Sequence, residues 1–124
     1  MSMERKAYFL QEKADAFKKR IIKMNQYLTS EKHEYVMSRQ VLRSGTSIGA
    51  NIAESRFAQS TADFINKLSI ALKEANETSY WINSLYEGDY LNNAEYTSIQ
   101  ADSDEIIKIL VASIKTLKSK AGLI

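Results

Sequence analysis

Residues Gly45-Thr46-Ser47-Ile48-Gly49 spell G-x-S-x-G, the pattern that sets a serine nucleophile on a sharp strand-to-helix turn in α/β-hydrolases. That chemistry needs a strand before the serine, a helix after it, and an Asp and a His downstream. Here the only histidine, His33, lies upstream in a polar stretch, and no segment reads as a parallel sheet. The stretch also lacks the Gly-Lys-Ser/Thr ending of a phosphate-cradling loop. Glu74 and Glu77 are carboxylates at i,i+3, but a di-iron site in a helical bundle needs two Glu-x-x-His pairs. One histidine cannot supply them, and Lys73 and Glu77 suit an ordinary i,i+4 ion pair. The chain has no cysteine, which removes disulfides, thiolate chemistry and Cys-ligated zinc together. No catalytic residue, no metal and no cofactor is expected, and so no enzymatic activity.

The elements that must position these residues are helices. Leu10, Ala14, Phe17, Ile21, Met24 and Leu28 step 4-3-4-3-4, an apolar seam that predicts a first helix over residues 4–28, with Ser2 as a candidate N-cap. Residues 29–33 then read as a polar turn. Phe64, Leu68, Ala71, Ala75, Thr78, Ile82 and Leu85 step 4-3-4-3-4-3 and predict a third helix over 61–86, capped by Ser60 or Thr61 and ended at Gly88. A fourth, over 94–119, carries Ile99, Ile106, Leu110 and Leu117, with Gly122 beyond it. Its acids precede its lysines, the order the helix dipole favours.

The second helix, over 34–55, is less regular. Tyr35, Leu42, Gly45, Gly49, Ile52 and Ala53 share one side, yet each interior glycine costs about 1 kcal/mol relative to alanine. Either the two glycines let a neighbouring helix approach closely, or the chain loops at Ser44–Ser47 between two shorter helices. The continuous helix is the expectation.

At 124 residues, 44% hydrophobic and 26% charged, residues 1–124 make one folded domain. The expected architecture is all-α: an antiparallel up-down-up-down four-helix bundle. The absence of proline leaves no forced kink. No apolar run reaches the roughly 18 to 20 residues of a membrane span, and the N-terminal stretch is charged every few residues, unlike a signal peptide. A cytoplasmic protein is expected, with no membrane partner.

The net charge is only +2, but it is unevenly spread: residues 74–105 hold eight acids and no Lys or Arg. In the expected topology Arg5, Lys6, Arg56, Lys115, Lys118 and Lys120 collect at one pole, and Glu87, Asp89, Glu95 and Asp102 at the other. A basic ridge of Arg5, Lys13, Lys19, Arg20 and Lys23 runs on the side of helix 1 away from its seam, and Arg39 and Arg43 lie one turn apart on helix 2. Of these, Lys13, Lys19, Arg20, Lys23, Arg39 and Arg43 are the candidates for contact with nucleic acid. Helix 4 has an apolar surplus from Ile106 to Leu117 that sweeps about 200° at 100° per residue, more than one core face needs. Ile70 and Trp81 lie together off the seam of helix 3. With Ile107 and Val111 they are the candidate subunit contacts.

The stretches QVLRSGTSIGANIAE (40–54) and DFINKLSIALKEANETSYWI (63–82) resemble the four helix bundle protein family encoded within intervening sequences of large-subunit ribosomal RNA genes. The accessory variability determinant of diversity-generating retroelements is a relative of that family. The resemblance implies the same bundle fold, a ring-like homopentamer with a positive surface, and no catalysis. The retroelement relative implies RNA or DNA and a reverse transcriptase as partners. Ser47, Asn51 and Glu54 match the family's polar positions and are expected to bond an adjacent helix or subunit. The combined expectation is a non-catalytic homo-oligomeric accessory protein with sequence-tolerant nucleic-acid binding. The alternative is a purely structural or protein-binding adaptor.

Overall fold

The computed structural model describes residues 3–124, so the expected cap Ser2 lies outside the described residues. Four helices follow one another: α1 (Met3–Ser30), α2 (Met37–Ser55), α3 (Thr61–Glu87) and α4 (Asn93–Lys120). The links are short, which forces consecutive helices to run antiparallel. Each helix packs on the next and α4 returns to α1, closing the up-down-up-down bundle. The α2–α3 contact is the most extensive, and the α1–α4 seam the least.

The repeats read from the sequence become the core. On α1, Leu10, Ala14, Phe17, Ile21 and Leu28 are buried and Met24 is half-buried. On α3, Leu68, Ala71, Ala75, Thr78, Ile82 and Leu85 are buried, and at the start of the seam Ile65 is buried while Phe64 is half-buried. Ile99, Ile106, Leu110 and Leu117 do the same on α4. Burying each Leu, Ile or Phe among them contributes on the order of 1.5–3 kcal/mol, so these seams dominate the stability of the bundle.

The second helix is continuous through both glycines, but its inner face differs from the expected one. Ser38, Val41, Ser44, Gly45, Ile48, Gly49, Ile52 and Ser55 point inward, while Tyr35 lies outside the helix and is exposed. Serines occupy positions an apolar count passes over. They fit because each hydroxyl is satisfied nearby: Ser38 Oγ donates to Glu34 O at 2.7 Å, Ser55 Oγ to Ile52 O at 2.6 Å, and Ser44 and Thr78 share a 2.9 Å bond across the α2–α3 contact.

The helix begins at Met37 rather than 34 because Glu34 acts as a cap. Its buried carboxylate accepts from Ser38 N at 2.7 Å and Val36 N at 3.3 Å, taking up amide donors that the first turn cannot use. Ser60 caps α3 by accepting from Asp63 N, and Asn92 and Glu95 form a reciprocal capping box on α4. After α3 the left-handed conformation falls on Asp89 (φ 66°), not on Gly88 (φ −84°). Gly122 (φ 73°) does take it after α4, and Leu123 N closes back onto Lys118 O at 2.8 Å.

Candidate nucleic-acid interface

Ser47 of the G-x-S-x-G match sits mid-helix, its hydroxyl donating to Arg43 O at 2.8 Å. There is no strand-to-helix elbow, and His33 lies beyond the far end of α2, its Nδ1 within 3.2 Å of Tyr35 Oη. Ser47 is therefore a helical side chain that bonds its own backbone. Asn51 behaves alike, donating to Ser47 O at 2.9 Å. From the sequence, Ser47, Asn51 and Glu54 are all expected to bond an adjacent helix or subunit; among the described residues Glu54 reaches an adjacent helix, through Lys67 of α3 at 3.0 Å. No cluster of His, Cys, Asp or Glu among the described residues could hold a metal ion, and no described helix is long and apolar enough to cross a membrane.

The basic candidates divide into two groups. Lys13 pairs with Glu105 at 2.6 Å, Arg20 with Asp102 at 2.5 Å, and Arg43 with Glu77 and with Glu74 at 3.5 Å. Arg20 also donates to Ser98 Oγ at 2.9 Å and Ser98 O at 3.3 Å. These cations bridge α1 to α4 and α2 to α3, a placement that adjacency along the chain does not reveal. A hydrogen bond from Lys13 to Glu105, aided by the attraction of that carboxylate, raises the Lys13 pKa above its ordinary value; Glu54 does the same for Lys67. These five pairs are all at least partly exposed to solvent, so each contributes little to stability. What they do is compensate the charge. Lys19, Lys23 and Arg39 are the candidates that stay exposed with no ion pair among the described residues.

The candidate contact residues for self-association also separate. Trp81 is half-buried, packs against the core, meets Tyr80 edge-on at 5.1 Å and donates Nε1 to Glu77 at 3.3 Å. Ile70 and Ile107 are half-buried, Ile107 against the core. Val111 is 48% exposed and Tyr80 63% exposed, so each presents apolar surface outward. Clefts of about 280 and 270 Å³ lie along the open α1–α4 seam, one beside Met24 and Leu91, the other beside Phe9 and Ile109.

One cluster escapes a reading by helix faces. At the pole where α1 begins and α2 ends, the Arg56 guanidinium lies 5.0 Å from the centre of the Tyr8 ring, and the neighbouring Phe57 is 86% exposed. Beside them opens a cavity of about 540 Å³ floored by Ala7, Ser55 and Phe64. An arginine followed by a phenylalanine near a helix end is visible in the sequence, but nothing there says that residue 8 and residue 56 meet.

The chain matches the family model described as "23S rRNA-intervening sequence protein" over residues 7–112. It also resembles a solved structure described as a protein with unknown function from the S23 ribosomal protein family of Bacteroides thetaiotaomicron. The two share 53% sequence identity and a TM-score of 0.87, over 89% of this chain and 98% of that one. No curated protein matches significantly. With a matching model that spans most of its length and a fold in agreement, the chain belongs to the 23S rRNA-intervening sequence protein family.

Proposed function

We propose that this protein is a non-catalytic, self-associating accessory factor that binds RNA or DNA without sequence preference. The observation that carries this is the uncompensated charge: Lys19, Lys23 and Arg39 stand exposed without carboxylate partners among the described residues, while Lys13, Arg20 and Arg43 are internally paired. Phosphates met by unpaired cations release condensed counterions, and that release drives sequence-independent binding. Self-association is supported by the apolar side chains left outward at Val111 and Tyr80. Repetition of the cations around an oligomer adds weak contacts through avidity. A ring of five and a reverse-transcriptase partner are the finer forms of this reading.

The test is retention of labelled RNA and DNA as salt is raised. Wild type is expected to bind at about 50 mM salt and to weaken steeply above it. Changing Lys19, Lys23 and Arg39 together to Gln should flatten the slope by about one unit for each phosphate contact removed. Arg20 is left intact because it ties α1 to α4. No retention at low salt would overturn the proposal. The adaptor reading, favoured by the internal pairing of half the basic candidates, would then replace it.

A further inference from the structure

Single strands differ from duplexes in offering unstacked bases, and a protein reads them with exposed aromatic faces beside cations. The ridge cations on α1 and α2 are not themselves such a platform, but the opposite end of the fold supplies one. Phe57 sits on a turn that is hydrogen-bonded to the last residues of α2: Phe57 N donates to Glu54 O at 3.0 Å and Ala58 N to Ser55 O at 3.1 Å. Its ring is nevertheless 86% exposed. The adjoining cavity of about 540 Å³ has Phe64, Ser55, Ser60 and Thr61 in its lining, within the ~300–1,000 Å³ typical of small-ligand sites.

The charge beside that cavity favours an anionic ligand. Arg56 has no carboxylate partner among the described residues and lies over the Tyr8 ring, which leaves its guanidinium charge uncompensated for a phosphate. Lys6 lies beside Phe64 and Leu117, so the lysine-bearing last turns of α4 meet the same pole. At the amide end of α3, Asp63 N is taken by Ser60 Oγ and the Asp63 carboxylate places a negative charge there, so the side-chain cations are the better partners for a phosphate.

We propose that this polar cavity takes an unpaired base of a single-stranded nucleic acid, stacked on Phe57, with the adjoining phosphate on Arg56. The site rests on the nucleic-acid reading above and deepens it by naming single strands as the preferred form. It lies apart from Lys19, Lys23 and Arg39, which serve duplex and single strand alike.

The experiment compares a labelled oligothymidylate with a labelled hairpin duplex, alongside light scattering of each variant. Phe57→Ala is expected to weaken the single strand about tenfold or more, to leave the duplex unchanged, and to keep the salt slope. Phe57→Trp should restore single-strand binding, because any aromatic face can stack. Arg56→Gln should lower the single-strand slope by about 0.7. Equal affinity of Phe57→Ala and wild type for the single strand, or equal weakening on the duplex, would overturn the site while leaving the general nucleic-acid reading intact. A reduced assembly mass for Phe57→Ala would also overturn it and make Phe57 a subunit contact. Wild type that binds neither probe would remove both proposals.

Discussion

Gly45 of α2 lies against Ile21 of α1 so closely that a Cβ placed on the glycine would fall 2.9 Å from Ile21 Cγ2 and 3.0 Å from Cγ1. Ile21 is fully buried and β-branched, so it has no free rotamer into which to retreat. Gly49, one turn on, is different: a Cβ there would meet Asp15 Oδ1 at 3.1 Å and Gln11 Nε2 at 3.5 Å, the ends of flexible polar side chains tied by hydrogen bonds to each other and to Gly49 O rather than by core packing.

The two glycines should therefore respond oppositely. Gly45→Ala gains about 1 kcal/mol in helix propensity but overpacks the α1–α2 contact, which typically costs 1–3 kcal/mol, about the same or more. A urea melt should show it less stable than wild type. Gly49→Ala should be neutral or slightly more stable. A stabilised Gly45→Ala would mean that α1 can shift away from α2 at little cost.

Ser44 and Thr78 make a buried α2–α3 link, through their 2.9 Å hydroxyl pair. Thr78→Val should cost about 1–3 kcal/mol, because it leaves the buried Ser44 hydroxyl with only its long 3.5 Å bond to Val41 O. The double change Ser44→Ala with Thr78→Val should cost less than the sum of the two singles, as expected for groups that act as a pair. Additive losses in denaturant melts would show that the two hydroxyls are not coupled.

Val111 and Trp81 separate assembly from folding. Val111 is 48% exposed, so Val111→Glu should lower the mass seen by light scattering while the monomer's stability stays within about 0.5 kcal/mol. Trp81 packs on the core and bonds Glu77, so Trp81→Glu should lose thermal stability as well as mass. An unchanged mass for both variants would place the subunit contact elsewhere on the bundle.

Much of this architecture is written into the chain. A 4-3 spacing of apolar residues can bury its stripe only on a helix, because no strand brings residues four and three apart onto one face. Short polar links then leave antiparallel neighbours as the arrangement available. The seams of α1 and α3 and the caps at Ser60 and Gly122 follow from such local rules. The inner face of α2 does not, because Ser38, Ser44 and Ser55 are buried by virtue of partners that a hydrophobicity pattern cannot see. The basic ridge is the clearest case. Read along the helices, Lys13, Lys19, Arg20 and Lys23 form one charged side. Only the register of α4 against α1 decides that Lys13 meets Glu105 and Arg20 meets Asp102 while Lys19 and Lys23 meet neither. Periodicity is a property of one helix and can be counted. Charge compensation, like the meeting of Tyr8 with Arg56, depends on distances between residues far apart in the chain, and those exist only once the helices have packed.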